Sequence, residues 1–184
     1  LGIDGGGSAM IGAGLANPEK LFVGVFGELA FFYDMNVAAN RHIGKNVRLM
    51  VVNNGRGTEF RNYDHPCYIF GEEADPYMAA AGHFGNKSFD LLKHYATDLG
   101  YEYLSASNKE EFLRVVEQFL TPEITDKPII LEAFTDTQDE SDALETMLNY
   151  MTDAKGVVKK EMKNIAKNVL GQRGISFLKK AVGK

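Results

Sequence analysis

Only one cysteine, Cys67, occurs among the 184 residues, so no internal disulfide can form, and no metal-ligand spacing surrounds that thiol. A lone, buried or idle thiol of this kind fits a reducing compartment, and a cytoplasmic location is expected. Long apolar runs are also missing. No basic region precedes the first apolar stretch, and Met10 to Ala16 is too short and too rich in glycine to cross a bilayer. Neither a signal peptide nor a membrane span is therefore expected. Two familiar nucleotide loops are absent: Gly5, Gly6, Gly7, Gly12 and Gly14 supply no register of Gly-x-Gly-x-x-Gly, and no Gly-Lys-Ser/Thr loop exists. Basic charge is scarce over residues 1–152, which carry 11 Lys and Arg against 23 Asp and Glu. Such an acidic body, with no basic stripe interleaved with aromatics, argues against nucleic-acid binding.

What is present suffices for one sizeable core, since 45% of the residues are hydrophobic and 24% charged. The expected organisation is one domain over residues 1–152 and a tail over 153–184, where 9 basic residues face 2 acidic ones. Val158, Met162, Ile165 and Val169 follow helical spacing in that tail, and Ile175, Leu178 and Val182 repeat it after the Gly171 and Gly174 breaks. A basic amphipathic helix can lie on an anionic membrane. Packing on the body or on another domain is the favoured reading.

The body alternates strands and helices. Strands are expected over Leu21 to Phe26, Val47 to Val52, Tyr101 to Leu104 and Pro128 to Phe134. Helices are expected over Ser8 to Ala16, Phe31 to Ile43, Ser88 to Leu99, Lys109 to Phe119 and, after a polar turn at Thr135 to Gln138, Asp139 to Met151. Alternation of this kind implies an α/β three-layer sandwich, a mostly parallel sheet with helices on both faces. The stretch from Gly55 to Gly85 is too long for an inert connection and reads as an active-site loop with a short helix near Tyr77 to Ala81.

A right-handed crossover puts the ends of the first two strands on one sheet edge. Gly27-Glu28 ends one strand and Asn53-Asn54 the other, so Glu28 and Asn54, 26 positions apart, can meet there. A carboxylate and an amide oxygen, beside a helix N-terminus, outline a site for magnesium and a diphosphate. Each element has a plainer reading: an acid at a helix start complements the macrodipole, and Asn-Asn-Gly is an ordinary turn. Of the histidines, His65, His83 and His94 show no ligand spacing, and none is assigned as a general base. Phe31, Phe32 and Met35 suit an apolar dimer face or the core equally.

Gly27-Glu28-Leu29-Ala30 followed by Asn53-Asn54 resembles the metal and diphosphate motif of thiamine diphosphate-dependent enzymes, with the greatest likeness to the menaquinone-biosynthesis synthases. Gly2-Ile3-Asp4-Gly5, Phe32-Tyr33-Asp34-Met35-Asn36 and the loop Asn54-Gly55-Arg56-Gly57 carry it further, and the likeness runs from about Gly2 to Phe134. It implies the thiamine diphosphate-binding fold. It also implies that Glu28, the Asn54 side chain and the Arg56 carbonyl ligate Mg2+, with Gly27, Leu29, Ala30 and Gly55 around the diphosphate. One departure stands out: the family has aspartate where this chain has Glu28, and the extra methylene moves the carboxylate outward against magnesium's strict octahedral preference.

In such enzymes the segment after Asn-Asn passes over the cofactor, which makes Arg56, Glu59, Phe60 and Arg61 candidates for the substrate channel. A guanidinium fork suits a substrate carboxylate, and both arginines could equally pair with nearby acids. The implied activity is that of a transferase or lyase: decarboxylation of a 2-oxo acid and transfer of the carbanion to an acceptor, 2-oxoglutarate and isochorismate in the menaquinone branch. The glutamate that activates the cofactor's pyrimidine lies on another domain, usually of a neighbouring subunit, so the expected partners are that domain and a second copy of the chain. The start at Leu1, within a glycine-rich entry loop, suggests a piece of a longer protein. The alternative is a catalytically inactive module of the same shape, acting in assembly or at a membrane through its basic tail.

Overall fold

The structure, a computed structural model, describes residues 3–63, 65–78, 80 and 88–150. The apolar run Phe22–Gly27 forms β1, Val47–Asn53 β2, Glu102–Ala106 β3 and Ile129–Phe134 β4. These strands pair in the order β1-β2-β4-β3, every pair parallel. Valine, isoleucine and phenylalanine suit a pleated, buried surface, and β4 is buried at five of its six positions. Parallel pairing sends all four strand ends to one edge, the edge where open α/β sheets bind ligands.

Helices cover the two faces. On one face α1 (Gly6–Ala16), α2 (Glu28–Tyr33) and α3 (Leu91–Asp98) enclose Ile11, Phe31, Val47, Leu49, Val51, Leu92, Ala96 and Ile130. On the other, α4 (Lys109–Phe119) packs Phe112, Val115 and Phe119 over Met50, Leu104, Ile129 and Leu131. That second cover does not hide the edge strand, whose Val23 and Val25 are exposed. Phe31 joins the core, with Phe32 and Met35 packed against it. Gly14 lets α1 approach the sheet, since a Cβ there would stand 3.3 Å from the Val47 side chain.

The starts of the elements follow from local chemistry. Asn108 caps α4 by accepting from the Glu111 amide at 2.9 Å, and Glu111 answers by accepting from the Ser107 amide at 2.8 Å. The other end of α4 is closed by Arg48 of β2, which is fully buried. Its guanidinium donates to the carbonyls of Phe119 (2.6 Å), Thr121 (2.5 Å) and Glu123 (2.6 Å), groups that a helix end and its exit turn leave without partners. Asn46 ties the loop before β1 to β2, donating to the carbonyls of Gly14 and Lys20, both at 3.0 Å.

One expectation is corrected. The helix expected over Phe31 to Ile43 starts earlier, at Glu28, and ends at Tyr33, followed by a 3-10 turn over Met35–Ala39. Asp34 breaks it. Its backbone leaves helical geometry, and its carboxylate turns away to accept from the amide and hydroxyl of Ser8 at 2.7 and 2.8 Å, capping α1 instead. Turns of 3-10 type cover Thr58–Arg61 and Pro66–Tyr77; of the short helix expected near Tyr77 to Ala81, Tyr77 closes the second of these and Ala80 is again 3-10, while residues 79 and 81 lie outside the described residues. Pro66 suits the first position of such a turn, and His65 caps it by accepting from the Cys67 amide.

Residues 137–150 are helical, close to the expected closing helix. The first compact unit ends at Ser141, and residues 142–150 belong to a second, of which the helical backbone is described. The basic tail, His83, Asp64 and the first residue of the Gly2 motif lie outside the described residues. Among the described residues no helix is long and apolar enough to cross a membrane.

Candidate functional site at the strand ends

The register of β1 and β2 brings the two motif halves level. Gly27 pairs with Val52, so Glu28 comes abreast of Asn53 on strands about 4.8 Å apart, with Asn54 one step beyond. Glu28 opens α2 and is 2% exposed. Leu29 and Ala30 occupy the next two positions of that first turn, where N–H groups point along the axis without helical partners. Gly27, the residue before the helix, is extended, and a side chain there would meet open space.

At the end of β2 the chain turns sharply. Gly55 has φ 80°, a conformation that side chains disfavour. The two asparagines build the turn with their side chains: Asn53 Oδ1 accepts from the Gly55 amide at 3.1 Å, and Asn54 Oδ1 from the Arg56 amide at 2.9 Å. The Asn54 NH2 group donates to Thr58 Oγ1 and to Glu140 at 2.7 Å. An amide oxygen has two lone pairs, and among the described residues Asn54 Oδ1 takes one hydrogen bond, from its own turn. The second is available to a cation.

Beneath the turn lies a polar group on an otherwise apolar sheet. Glu132 of β4 is 1% exposed, accepts from Asn53 Nδ2 at 2.6 Å and from the Tyr103 hydroxyl at 2.6 Å. Burial pushes its carboxyl above the ordinary range, and the two donors only partly offset this. Burial likewise raises the Tyr103 hydroxyl, with the Glu132 contact adding to it. Neither Glu132, Tyr103, Glu140 nor Thr58 was expected at the site. A glutamate inside Ile-Ile-Leu-Glu-Ala-Phe was the available signal, since a charge in a buried strand needs partners.

The loop residues do not all converge with Glu28 and Asn54. Arg56 and Arg61 turn to Asp75, Arg56 at 3.4 Å, so the pairing with a nearby acid is the one the structure adopts. Together with Gly57, Phe60, Cys67, Gly71, Ala74 and Met78 they line a tight cleft. Glu59 is exposed, and the Phe60 ring meets His65 edge-on at 5.0 Å. His94 is exposed on α3. No group of three or more His, Cys, Asp or Glu is arranged for a metal among the described residues, so a cation here would rely on a mixed set of carboxylate, amide and carbonyl oxygens.

Comparison with known proteins gives a consistent likeness. No protein-family model matches the chain. It is 29% identical over 143 residues to the 2-succinyl-5-enolpyruvyl-6-hydroxy-3-cyclohexene-1-carboxylate synthase of Phocaeicola vulgatus, covering 78% of this chain and 24% of that protein. To the synthase of the same name from Bacteroides fragilis it is 32% identical over 134 residues, 73% of this chain and 22% of that protein. The chain thus spans about a quarter of the length of these curated relatives. Among solved structures, the thiamine diphosphate-dependent 4-hydroxybenzoylformate decarboxylase of Rhodococcus jostii superposes with a TM-score of 0.50 at 21% identity, over 71% of this chain and 23% of that one, a likeness of fold.

Proposed function

We propose that this chain, a relative of the thiamine diphosphate-dependent enzymes with their α/β fold, is the part of such an enzyme that holds the diphosphate and its Mg2+ ion. The observation that carries the reading is a buried Glu28 and an Asn54 at the ends of two paired parallel strands, with the Asn54 NH2 held by Glu140 and Thr58 and an oxygen lone pair left to donate. Glu28, Asn54 Oδ1 and the Arg56 carbonyl are the proposed ligands. The amides of Leu29 and Ala30, flanked by Gly27 and Gly55, are the proposed diphosphate contacts. When bound, thiamine diphosphate supplies the electron sink for decarboxylating a 2-oxo acid and passing the remaining fragment to an acceptor. The chain's own residues bind and orient. Arg56 and Arg61 are the proposed carboxylate contacts, released from Asp75 when substrate enters.

The names of the relatives support the menaquinone-pathway reaction, 2-oxoglutarate with isochorismate, as the whole protein's activity. A partner domain bearing the pyrimidine site and a dimeric assembly are part of the same proposal. Equilibrium dialysis tests the site: thiamine diphosphate retained only with magnesium, and unphosphorylated thiamine not retained, is the expected result. Equal retention of both would overturn it.

A second reading is favoured by one residue, Glu28 in place of the family's aspartate. Under it the fold persists without the cofactor, and the chain acts in assembly or on anionic membranes through residues 153–184. Restoration of magnesium-dependent binding by Glu28→Asp would single out this reading. Sedimentation with anionic vesicles that is unchanged on removing residues 153–184 would end its membrane form.

A further inference from the structure

A carboxylate that faces a side-chain amide selects its NH2 end, because an ionised carboxylate can only accept. Two glutamates do this at the end of β2, one for each asparagine. Glu132 Oε1 takes Asn53 Nδ2 at 2.6 Å. Glu140 Oε2 takes Asn54 Nδ2 at 2.7 Å and Thr58 Oγ1 at 2.8 Å. Each glutamate is anchored through its other oxygen, Glu132 by the Tyr103 hydroxyl at 2.6 Å and Glu140 by Thr135 Oγ1. The backbone joins the same elements, with the Thr135 amide donating to the Asn53 carbonyl at 3.0 Å. With both NH2 groups held, both amide oxygens must point the other way, onto the amides of Gly55 and Arg56. A flip of either asparagine would set its oxygen against a carboxylate and its NH2 against a backbone N–H.

We infer that Glu132 and Glu140 are positioning residues, a pair of carboxylates that fixes the amide orientation of Asn53 and Asn54 and so aims Asn54 Oδ1 at the cation. The inference deepens the proposed function and rests on it for the cation. Neither glutamate needs to touch the metal. Both come from β4 and the segment after it, 79 and 86 positions from the asparagines they hold, so the last βα unit of the sheet sets the geometry of a loop built by the second strand.

The test uses the full chain labelled with ¹⁵N, observed through its side-chain NH2 and backbone amide signals, with magnesium affinity measured in the presence of thiamine diphosphate. Glu140→Ala is expected to move the Asn54 NH2 and Arg56 amide signals while those of Asn53 stay. Glu132→Leu is expected to move the Asn53 NH2 and Gly55 amide signals. Magnesium affinity should fall about 10- to 100-fold in Glu140→Ala, the range for residues that orient a ligand. Glu140→Gln, whose amide oxygen can still accept from Asn54, should recover most of it. Unmoved Asn54 signals in Glu140→Ala would overturn the inference, as would moved signals with undiminished affinity. If the unmodified chain binds no magnesium, the proposed function fails, and the amide signals still decide the clamp on their own.

Discussion

Glu132 offers the sharpest test of how the site is supported. Replacing it with leucine deletes the acceptor for the buried Asn53 Nδ2 and the half-buried Tyr103 hydroxyl. An unsatisfied buried polar group costs about 1–3 kcal/mol and the half-buried hydroxyl less, and leucine is easier to bury than glutamate; a net loss of about 2 kcal/mol is expected. Glutamine keeps both contacts, its oxygen accepting from Asn53 and its NH2 donating to a turned Tyr103 hydroxyl, so Glu132→Gln should cost little. The pH dependence has a definite sign. Because burial raises the Glu132 carboxyl, the unfolded chain releases this proton at a lower pH than the folded one. Wild-type stability from this group is therefore lost as pH rises from the ordinary glutamate range through the raised folded value, and Glu132→Gln escapes that loss. Urea unfolding followed by circular dichroism at pH 5 and pH 8 measures both effects. A leucine variant as stable as the glutamine variant, or a wild-type deficit against glutamine that shrinks as pH rises, would rule out this role for Glu132.

Other perturbations follow from the same contacts. Arg48→Met removes the donors to three carbonyls at and just after the end of α4, and a loss of about 2–4 kcal/mol in urea unfolding is expected, part of each carbonyl's demand being met by water. Asn46→Ala should cost about 1–2 kcal/mol, read as a lower melting temperature, since it removes the side-chain donor shared by the carbonyls of Gly14, Asn17 and Lys20, of which Gly14 keeps the Asn17 amide. Glu28→Asp should leave magnesium affinity unchanged or improved while costing about 1 kcal/mol of stability for the buried methylene, so calorimetric affinity and unfolding move independently.

The sheet was legible because β1, β2 and β4 are largely apolar runs, and all four described strands lie within two residues of their expected limits. The helix Lys109–Phe119 was legible to the residue, its cap signal being Asn108 with Glu111 three positions on. The crossover helix was misread because its end is set at a distance. Asp34 is drawn off by Ser8, 26 positions earlier, and no local pattern announces such a contact. The Gly55 to Gly85 loop gave weak signals for the same reason: its 3-10 turns owe their form to His65, Pro66 and the Asp75 ion pairs rather than to an apolar period. At the site, Glu28 and the Asn53-Asn54 pair were visible as a motif. Their supports, Glu132 and Glu140, were not, since each meets its asparagine only through the order in which β2 and β4 pair.

Whether Glu28 and Asn54 hold magnesium for a diphosphate, as proposed, is decided by calorimetry of thiamine diphosphate with and without magnesium, on the unmodified chain and on Asn54→Ala. The expected heat requires magnesium and disappears in Asn54→Ala. Heat that is indifferent to magnesium, or that survives the substitution unchanged, would contradict the proposal.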